Sequence, residues 1–341
     1  KSLKLIMYNY DEIQQVHFEP TQLCQAACPM CDRNKNGGEV NQYLTNASIT
    51  FEQFKELFPI DFIRQLKTFY MCGNHGDPIL NTEVVDMFEY LREHNSALDL
   101  SMTTNGGAQK PEWWEELAQI RDIRVNFSID GLEDTNYLYR QGVMWKRVEE
   151  NLDAFVTAGG HADWTFLVFN YNEHQVEEAE QFSQLMGVKN FIVKKSGRYL
   201  TSTAERKTEH QAVFRKGMGT LLSEPKNEKY RNKELQKDVD VVTIIETEKV
   251  DPKCVKKKEI YVSAEGFVFP CCWTHGQMYK WYLEPKASQI WENIDKYNIN
   301  ALTSSIKDVV DGGFFESISE RWEGDNRLDV CVLKCNKKFD P

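Results

Sequence analysis

No run of apolar residues in this chain is long enough to cross a bilayer as a helix, which takes about 20 of them, and no signal-peptide pattern opens it. The chain therefore reads as soluble and cytoplasmic, with no membrane partner. Positive charge is also in short supply. The 41 Lys and Arg stand against 52 Asp and Glu, a net charge of −11 with a pI near 5.3. That balance favours solubility and speaks against a nucleic-acid surface, since binding nucleic acid needs clustered cations and an exposed aromatic face. There is no low-complexity tract and no internal repeat beyond a strand–helix period, which excludes repeat arrays.

What is present is enough to bury a sizeable core. At 341 residues, 41% hydrophobic and 12% aromatic, the chain suggests about two domains, or one barrel with an appended module. Nine cysteines in an intracellular chain are better read as metal ligands or redox groups than as disulfides. Eight of them fall into two sets: Cys24, Cys28 and Cys31 early, then Cys254, Cys271, Cys272, Cys331 and Cys335 late. Two metal sites are expected, and Cys72 stands apart.

Strand-like and helix-like patterns alternate through the first two hundred residues. Strands are expected at residues 16–19, 68–72, 98–104, 123–129, 163–169 and 189–195, all rich in β-branched and aromatic residues. Helical periods run over residues 50–58, 82–95, 111–120, 145–158 and 173–186. Thr50 and Gln53 are spaced as a capping box, Pro111 opens a helix, and Gly159 and Gly187 stop two others. Six such units predict an α/β fold over residues 1–200, an open partial (β/α)6 barrel with parallel strands and helices outside them. In such architectures the chemistry sits at the carboxyl ends of the strands. Residues 201–250 are charged and of mixed sign, and read as a linker or surface insertion. Residues 251–341 read as a small α+β module with its own strand pair around residues 259–270.

The loop after the first strand reads CQAACPMC, residues 24–31, spaced C-x3-C-x2-C. A structural zinc or a ferredoxin cluster takes four ligands. Three thiolates can hold three irons of a 4Fe–4S cubane and leave the fourth iron open, as catalytic zinc sites leave a position open. Spacing alone leaves a zinc site, or a cysteine cluster in a core, as the plainer alternative. The spacing and its place in the barrel resemble the radical S-adenosylmethionine (radical SAM) superfamily. The resemblance implies that Cys24, Cys28 and Cys31 bind a 4Fe–4S cluster, with Met30 beside the cofactor. It also implies that S-adenosylmethionine (SAM) chelates the open iron, and that one electron cleaves SAM to methionine and a 5′-deoxyadenosyl radical.

Three further loops carry the same resemblance. GNHGDP, residues 73–78, is similar to the family's G-G-E-P motif. Gly76, Asp77 and Pro78 match in order, with Asp in place of Glu and His75 where the first glycine usually stands. Such a loop presents backbone groups to the SAM ammonium. TTNGG, residues 103–107, offers Thr103, Thr104 and Asn105 to the methionyl or ribose part. SIDG, residues 128–131, supplies Ser128 and Asp130, and Arg140 follows twelve residues after Ser128. In relatives a serine and an arginine in this relation grip the SAM carboxylate, a contact suited to a guanidinium.

The late cysteines resemble the SPASM and twitch modules of the same superfamily. Cys254, eleven residues, Gly266, four residues and Cys271 fit the opening pattern of those modules. Too few cysteines remain for two further clusters, so the shorter twitch form, with one auxiliary 4Fe–4S cluster, is the better match. The ligands this implies are Cys254, Cys271, Cys331 and Cys335, with Cys272 as an alternative to Cys271. A four-thiolate structural zinc is the plainer reading.

Other residues stay open between two roles. Cys72 is either a hydrogen-atom donor, as radical epimerases use, or a buried small hydrophobe. Lys194, Lys195 and Arg198 either hold an anionic substrate or form a solvated strand end. His75 and His174 receive no role, and Trp113 and Trp114 read as core. The whole points to an enzyme with two 4Fe–4S clusters and SAM that abstracts a hydrogen from a peptide or protein substrate, with flavodoxin or ferredoxin as electron donor. A dehydrogenase or epimerase of a small molecule, and a non-catalytic electron carrier, are the alternatives.

Overall fold

A computed structural model describes residues 7–197, 199, 209–213, 219–232, 245, 248–324 and 326–336. Ten strands are described: β1 (Gln15–Phe18), β2 (Thr68–Met71), β3 (Asp99–Thr104), β4 (Arg124–Ser128), β5 (His161–Val168), β6 (Asn190–Lys195), β7 (Glu209–Val213), β8 (Gly219–Ser223), β9 (Glu259–Val262) and β10 (Val268–Phe269). β1 to β6 lie side by side in chain order and each neighbouring pair is parallel. The sheet ends at β6 on one side and β10 on the other, so it curls without closing.

Period-2 alternation along these strands separates core from site. Val16, Phe18, Phe69, Met71, Leu100, Met102, Val125, Phe127, Trp164 and Phe166 are fully buried, and the register sets them side by side. They meet the outer helices; Trp114, from the helix Pro111–Ala118, packs on Phe127 and Phe155. The intervening residues, His17, Tyr70, Thr103, Asn126, Ser128, Thr165 and Lys194, belong to the opposite face and are mostly polar. One face is therefore a hydrophobic layer and the other the wall of a polar hollow.

Local signals set the helix ends. The backbone N–H of Gln53 donates to Thr50 Oγ1 at 3.2 Å while Thr50 N–H donates to Gln53 Oε1 at 3.0 Å, the reciprocal capping box expected before Phe51–Leu57. Gly187 follows Val176–Leu185 with φ +76°, a conformation that favours glycine.

Two regions differ from the sequence reading. Within residues 201–250, read as linker or insertion, the described residues include an antiparallel hairpin, β7–β8. It is docked: Ala212 and Leu222 are fully buried, Val213 N–H donates to Asn36 O at 2.7 Å, and Asn170 N–H donates to Ser223 O at 3.0 Å. Each strand buries only one side chain, and exposed Val213 and Leu221 add apolar residues on the open side, which leaves no alternating signal to read. The expected tail strand pair is present as β9–β10, but β9 pairs in parallel with β1. The barrel sheet thus runs on into the tail.

Candidate active site and second cysteine centre

The loop after β1 brings Cys24, Cys28 and Cys31 to the carboxyl end of the sheet, with Cys28 buried and the other two half-buried. Ala27 N–H donates to Gln141 O at 2.7 Å and Cys31 N–H to Cys28 O at 3.1 Å, which fixes the loop against the residues after Arg140. Each of two sulfurs has a side-chain donor: Asn105 Nδ2 lies 3.8 Å from Cys24 Sγ, and Arg140 Nη1 lies 3.8 Å from Cys28 Sγ. Burial, then Asp77 and the neighbouring Cys28 and Cys31, push the Cys24 thiol well up. Three crowded sulfurs of this kind suit a cationic group that would stabilise their thiolate forms.

The loop of residues 73–78 is held by close backbone approach. A Cβ at Gly76 would lie 1.8 Å from Thr21 O, and one at Gly73 would lie 2.3 Å from Gly76 O. Glycine is obligatory at both places. Asp77 is buried and turns away from the hollow. Its Oδ2 accepts from Asn105 N–H at 2.8 Å and from Asn105 Nδ2 at 2.6 Å, and its Oδ1 accepts from Ile79 N–H at 3.3 Å. Burial raises its carboxyl, and these donors oppose the rise. Asp77 therefore ties the second loop to the third and steers Asn105 onto Cys24. Thr104 is likewise buried and caps Gly106 N–H at 3.1 Å.

Asp130 and Arg140 form a buried ion pair, Nε to Oδ2 at 2.7 Å. Asp130 also accepts Leu167 N–H at 2.8 Å, so β5 fixes the carboxylate, the carboxylate fixes the guanidinium, and the guanidinium reaches Cys28.

These residues line a cavity of about 560 Å³. Met30, Cys31, Gly73, His75, Ser128, Asp130 and Arg140 face it among the expected residues, together with Lys194 and Lys195 from β6. Gly76, Asp77, Pro78, Thr103, Thr104 and Asn105 are not among its lining residues. Arg198 lies outside the described residues, and His174 is exposed and away from the hollow. Residues the sequence did not single out also line it: Asp32, Thr165 and Leu167, then Cys272, Trp273, Gln277 and Lys280 from the tail. Lys280 pairs with Asp32 at 2.5 Å, which clamps the tail onto the cysteine loop. About 250 residues separate those partners, so no local pattern could have revealed them.

Cys72, at the end of β2, is half-buried, with Sγ 3.8 Å from Gly73 O. Burial, then Asp77 and Glu19, push its thiol up to about 12. It therefore keeps its proton at neutral pH.

The late cysteines form a second centre of different character. Cys254, Cys271, Cys331 and Cys335 line one void of about 10 Å³, walled by Val250, Pro252, Pro270, Ile318, Trp322 and Val330. Cys254 and Cys331 are buried, and mutual repulsion adds to burial in pushing the Cys254 thiol well up. Thr274 Oγ1 lies 3.6 Å from Cys271 Sγ. Cys272, next in sequence, begins the helix Cys272–His275 and turns the other way, into the large cavity.

Residues 18–183 match the profile of the Radical SAM superfamily. The chain carries a domain of this superfamily of enzymes. Among curated proteins, a GTP 3′,8-cyclase of Nautilia profundicola is 26% identical over 208 residues, which are 58% of this chain and 62% of that protein. A GTP 3′,8-cyclase of Staphylococcus epidermidis is 25% identical over 150 residues, 43% of each chain. The match thus spans less than two-thirds of either relative. Among solved structures, Streptococcus suis SuiB bound to S-adenosylmethionine superposes with a TM-score of 0.59 at 14% identity, covering 91% of this chain and 68% of that one. AnSMEcpe with bound AdoMet and Cp18Cys peptide gives 0.53 at 15% identity, covering 95% and 89%. At these identities the likeness is one of fold.

Proposed function

We propose that this protein is a SAM-dependent radical enzyme that abstracts a hydrogen atom from a peptide or protein substrate. The observation that carries the reading is the cysteine loop itself: three sulfurs, two with side-chain donors, at the mouth of a polar cavity of about 560 Å³. Crowded, partly buried thiols beside a guanidinium fit a cationic cluster better than an empty pocket. In this reading Cys24, Cys28 and Cys31 hold a 4Fe–4S cluster. With SAM on its open iron, that group supplies a 5′-deoxyadenosyl radical when reduced.

The protein's own part is positioning and shielding. Arg140, held by Asp130, presents a guanidinium at the cavity wall for the SAM carboxylate, and Ser128 stands beside it. Gly73 brings the backbone of this loop to the cavity wall for the SAM ammonium, and Gly76 lets the loop pack against Thr21. Cys72 keeps a hydrogen on Sγ near the cavity, which suits a donor to a substrate radical. Cys254, Cys271, Cys331 and Cys335 hold an auxiliary cluster with no open position, in a twitch-type module suited to passing electrons. A small flavodoxin or ferredoxin is the expected reductant, in the cytoplasm.

Peptide is preferred because the fold likeness to SuiB and anSMEcpe runs through the tail, and both have been solved with peptides. The matches to GTP 3′,8-cyclases support a second reading, a small anionic substrate, for which Lys194 and Lys195 would be the contacts.

The test is anaerobic reconstitution followed by SAM and dithionite, beside a Cys24/Cys28/Cys31→Ala variant. About eight irons and 5′-deoxyadenosine in the parent, against about four irons and no product in the variant, are expected. Zinc in place of iron, or SAM left intact, would overturn the reading. A mass change on candidate peptides and none on GTP would support the peptide; the converse would support the nucleotide.

A further inference from the structure

Where the loop of residues 73–78 meets the helix Cys272–His275, three side chains from distant parts of the chain converge. They are Glu19, one residue beyond β1; His75, in the place the related motif gives to glycine; and His275, at the end of the helix that begins at Cys272. All three are buried, with exposures of 0%, 2% and 0%. One ligand atom from each lies within 4.8 Å of the other two.

One ring nitrogen of each histidine lacks a hydrogen-bond partner. His75 Nδ1 and His275 Nε2 are buried and meet no protein donor or acceptor. A buried nitrogen left without a partner destabilises the fold, and two such orphans sit here beside one carboxylate. Burial lowers the affinity of both imidazoles for protons, so both rings are neutral at neutral pH, each with one N–H and one lone pair.

Supporting groups surround the set. His275 Nδ1 lies 3.1 Å from Asn74 Nδ2, an amide donor that also donates to Cys272 O at 2.8 Å, so ligation through the inward Nε2 requires the ring proton to move to Nδ1 and the Asn74 amide to turn away. Glu19 Oε1 accepts from the backbone N–H of His75 at 2.7 Å and of Gly76 at 2.9 Å, while Tyr261 Oη donates to Oε2 at 2.5 Å. The donors to Glu19 are outer partners of the kind a metal-ligating carboxylate usually carries.

We propose that Glu19, His75 and His275 form a third metal site, for a single divalent first-row ion bound through nitrogen and oxygen alone. Two imidazoles and a carboxylate are a common donor set for zinc or ferrous iron. An ion with bonds of about 2.0–2.1 Å would draw the three atoms together by up to about 1.5 Å, a movement side-chain rotation can supply. The site would bolt the loop of residues 73–78 to the helix Cys272–His275, joining the walls of the large cavity. It does not depend on how the cavity is used.

The experiment uses the holoprotein with its clusters assembled, stripped of loosely bound metal and given one equivalent of Zn²⁺. We expect one retained zinc per chain, with an X-ray absorption spectrum showing nitrogen and oxygen neighbours at about 2.0–2.1 Å and no sulfur at about 2.3 Å. H75Q and H275Q should retain less than a tenth of that zinc with iron and sulfide unchanged, and Y261F should weaken it about 10-fold or more. No retained zinc, sulfur neighbours, or full zinc in both histidine variants would overturn the proposal. If the variants fail to fold, the parent spectrum alone decides. Failure of SAM cleavage would leave this result standing, so the two readings fail separately.

Discussion

The two cysteine centres use the same ligand chemistry in opposite surroundings. Cys24, Cys28 and Cys31 lie on a loop at the edge of a polar cavity of about 560 Å³, with Asn105 and Arg140 reaching two of the sulfurs. Cys254, Cys271, Cys331 and Cys335 surround a void of about 10 Å³ walled mostly by apolar side chains. The first arrangement leaves room for a small molecule beside whatever the sulfurs hold; the second, with about the space of one water, leaves room for no second molecule. Access, more than the number of cysteines, distinguishes the two centres.

The sharpest break in that comparison is a single truncation at the shut centre. Cys331→Ala should lose about half of roughly eight irons yet still form 5′-deoxyadenosine with dithionite, whereas the early-cysteine variant should form none. Within the same centre, Cys271→Ser should lower iron content and Cys272→Ser should not, because only Cys271 faces the void. Equal iron in both would mean that the neighbouring cysteines exchange roles.

Next in size is the ion pair behind the open centre. Arg140→Ala leaves Asp130 buried without its cation and should cost about 3–5 kcal/mol, read by denaturant unfolding. Arg140→Met with Asp130→Asn should recover part of that loss.

The seam between the centres should respond to acid. His17 stacks on Tyr70, meets Tyr261 edge-on and has Nε2 2.6 Å from Cys72 O. Burial lowers its folded-state pKa from 6.5 to about 4. The unfolded chain therefore takes up the proton first. Stability is full above about pH 6.5 and falls as pH drops towards about 4, by about 3 kcal/mol at most. His17→Asn should flatten that part of the profile; an unchanged slope would assign it to other groups.

The smallest effects should come from the neutral donors. Asn105→Ala removes a donor near Cys24 Sγ, and Thr274→Val removes the hydroxyl that donates to Cys271 O and lies near Cys271 Sγ; each should cost about 1 kcal/mol in stability. A change in SAM cleavage is expected only for Asn105→Ala, the donor beside the open centre.

Most of the barrel was legible in the sequence because its signals are local. β-branched and aromatic runs, the Thr50–Gln53 box, Pro111 and the stops at Gly159 and Gly187 each act within a few residues. The helix Ile60–Gln65 went unread because it follows so closely on the preceding one, after Pro59. The hairpin β7–β8 went unread because it buries one side chain per strand.

The sequence by itself determined the strand–helix alternation, the C-x3-C-x2-C loop after the first strand and the two groupings of cysteine, since spacing along the chain is enough for each. Only the tertiary structure decided which of the adjacent Cys271 and Cys272 faces which cavity, because successive residues at a helix start point in different directions. It also decided that β9 joins β1 and carries the tail into the barrel sheet. And it alone brought Glu19, His75 and His275 together, through contacts between parts of the chain up to about 250 residues apart, where no short-range pattern operates.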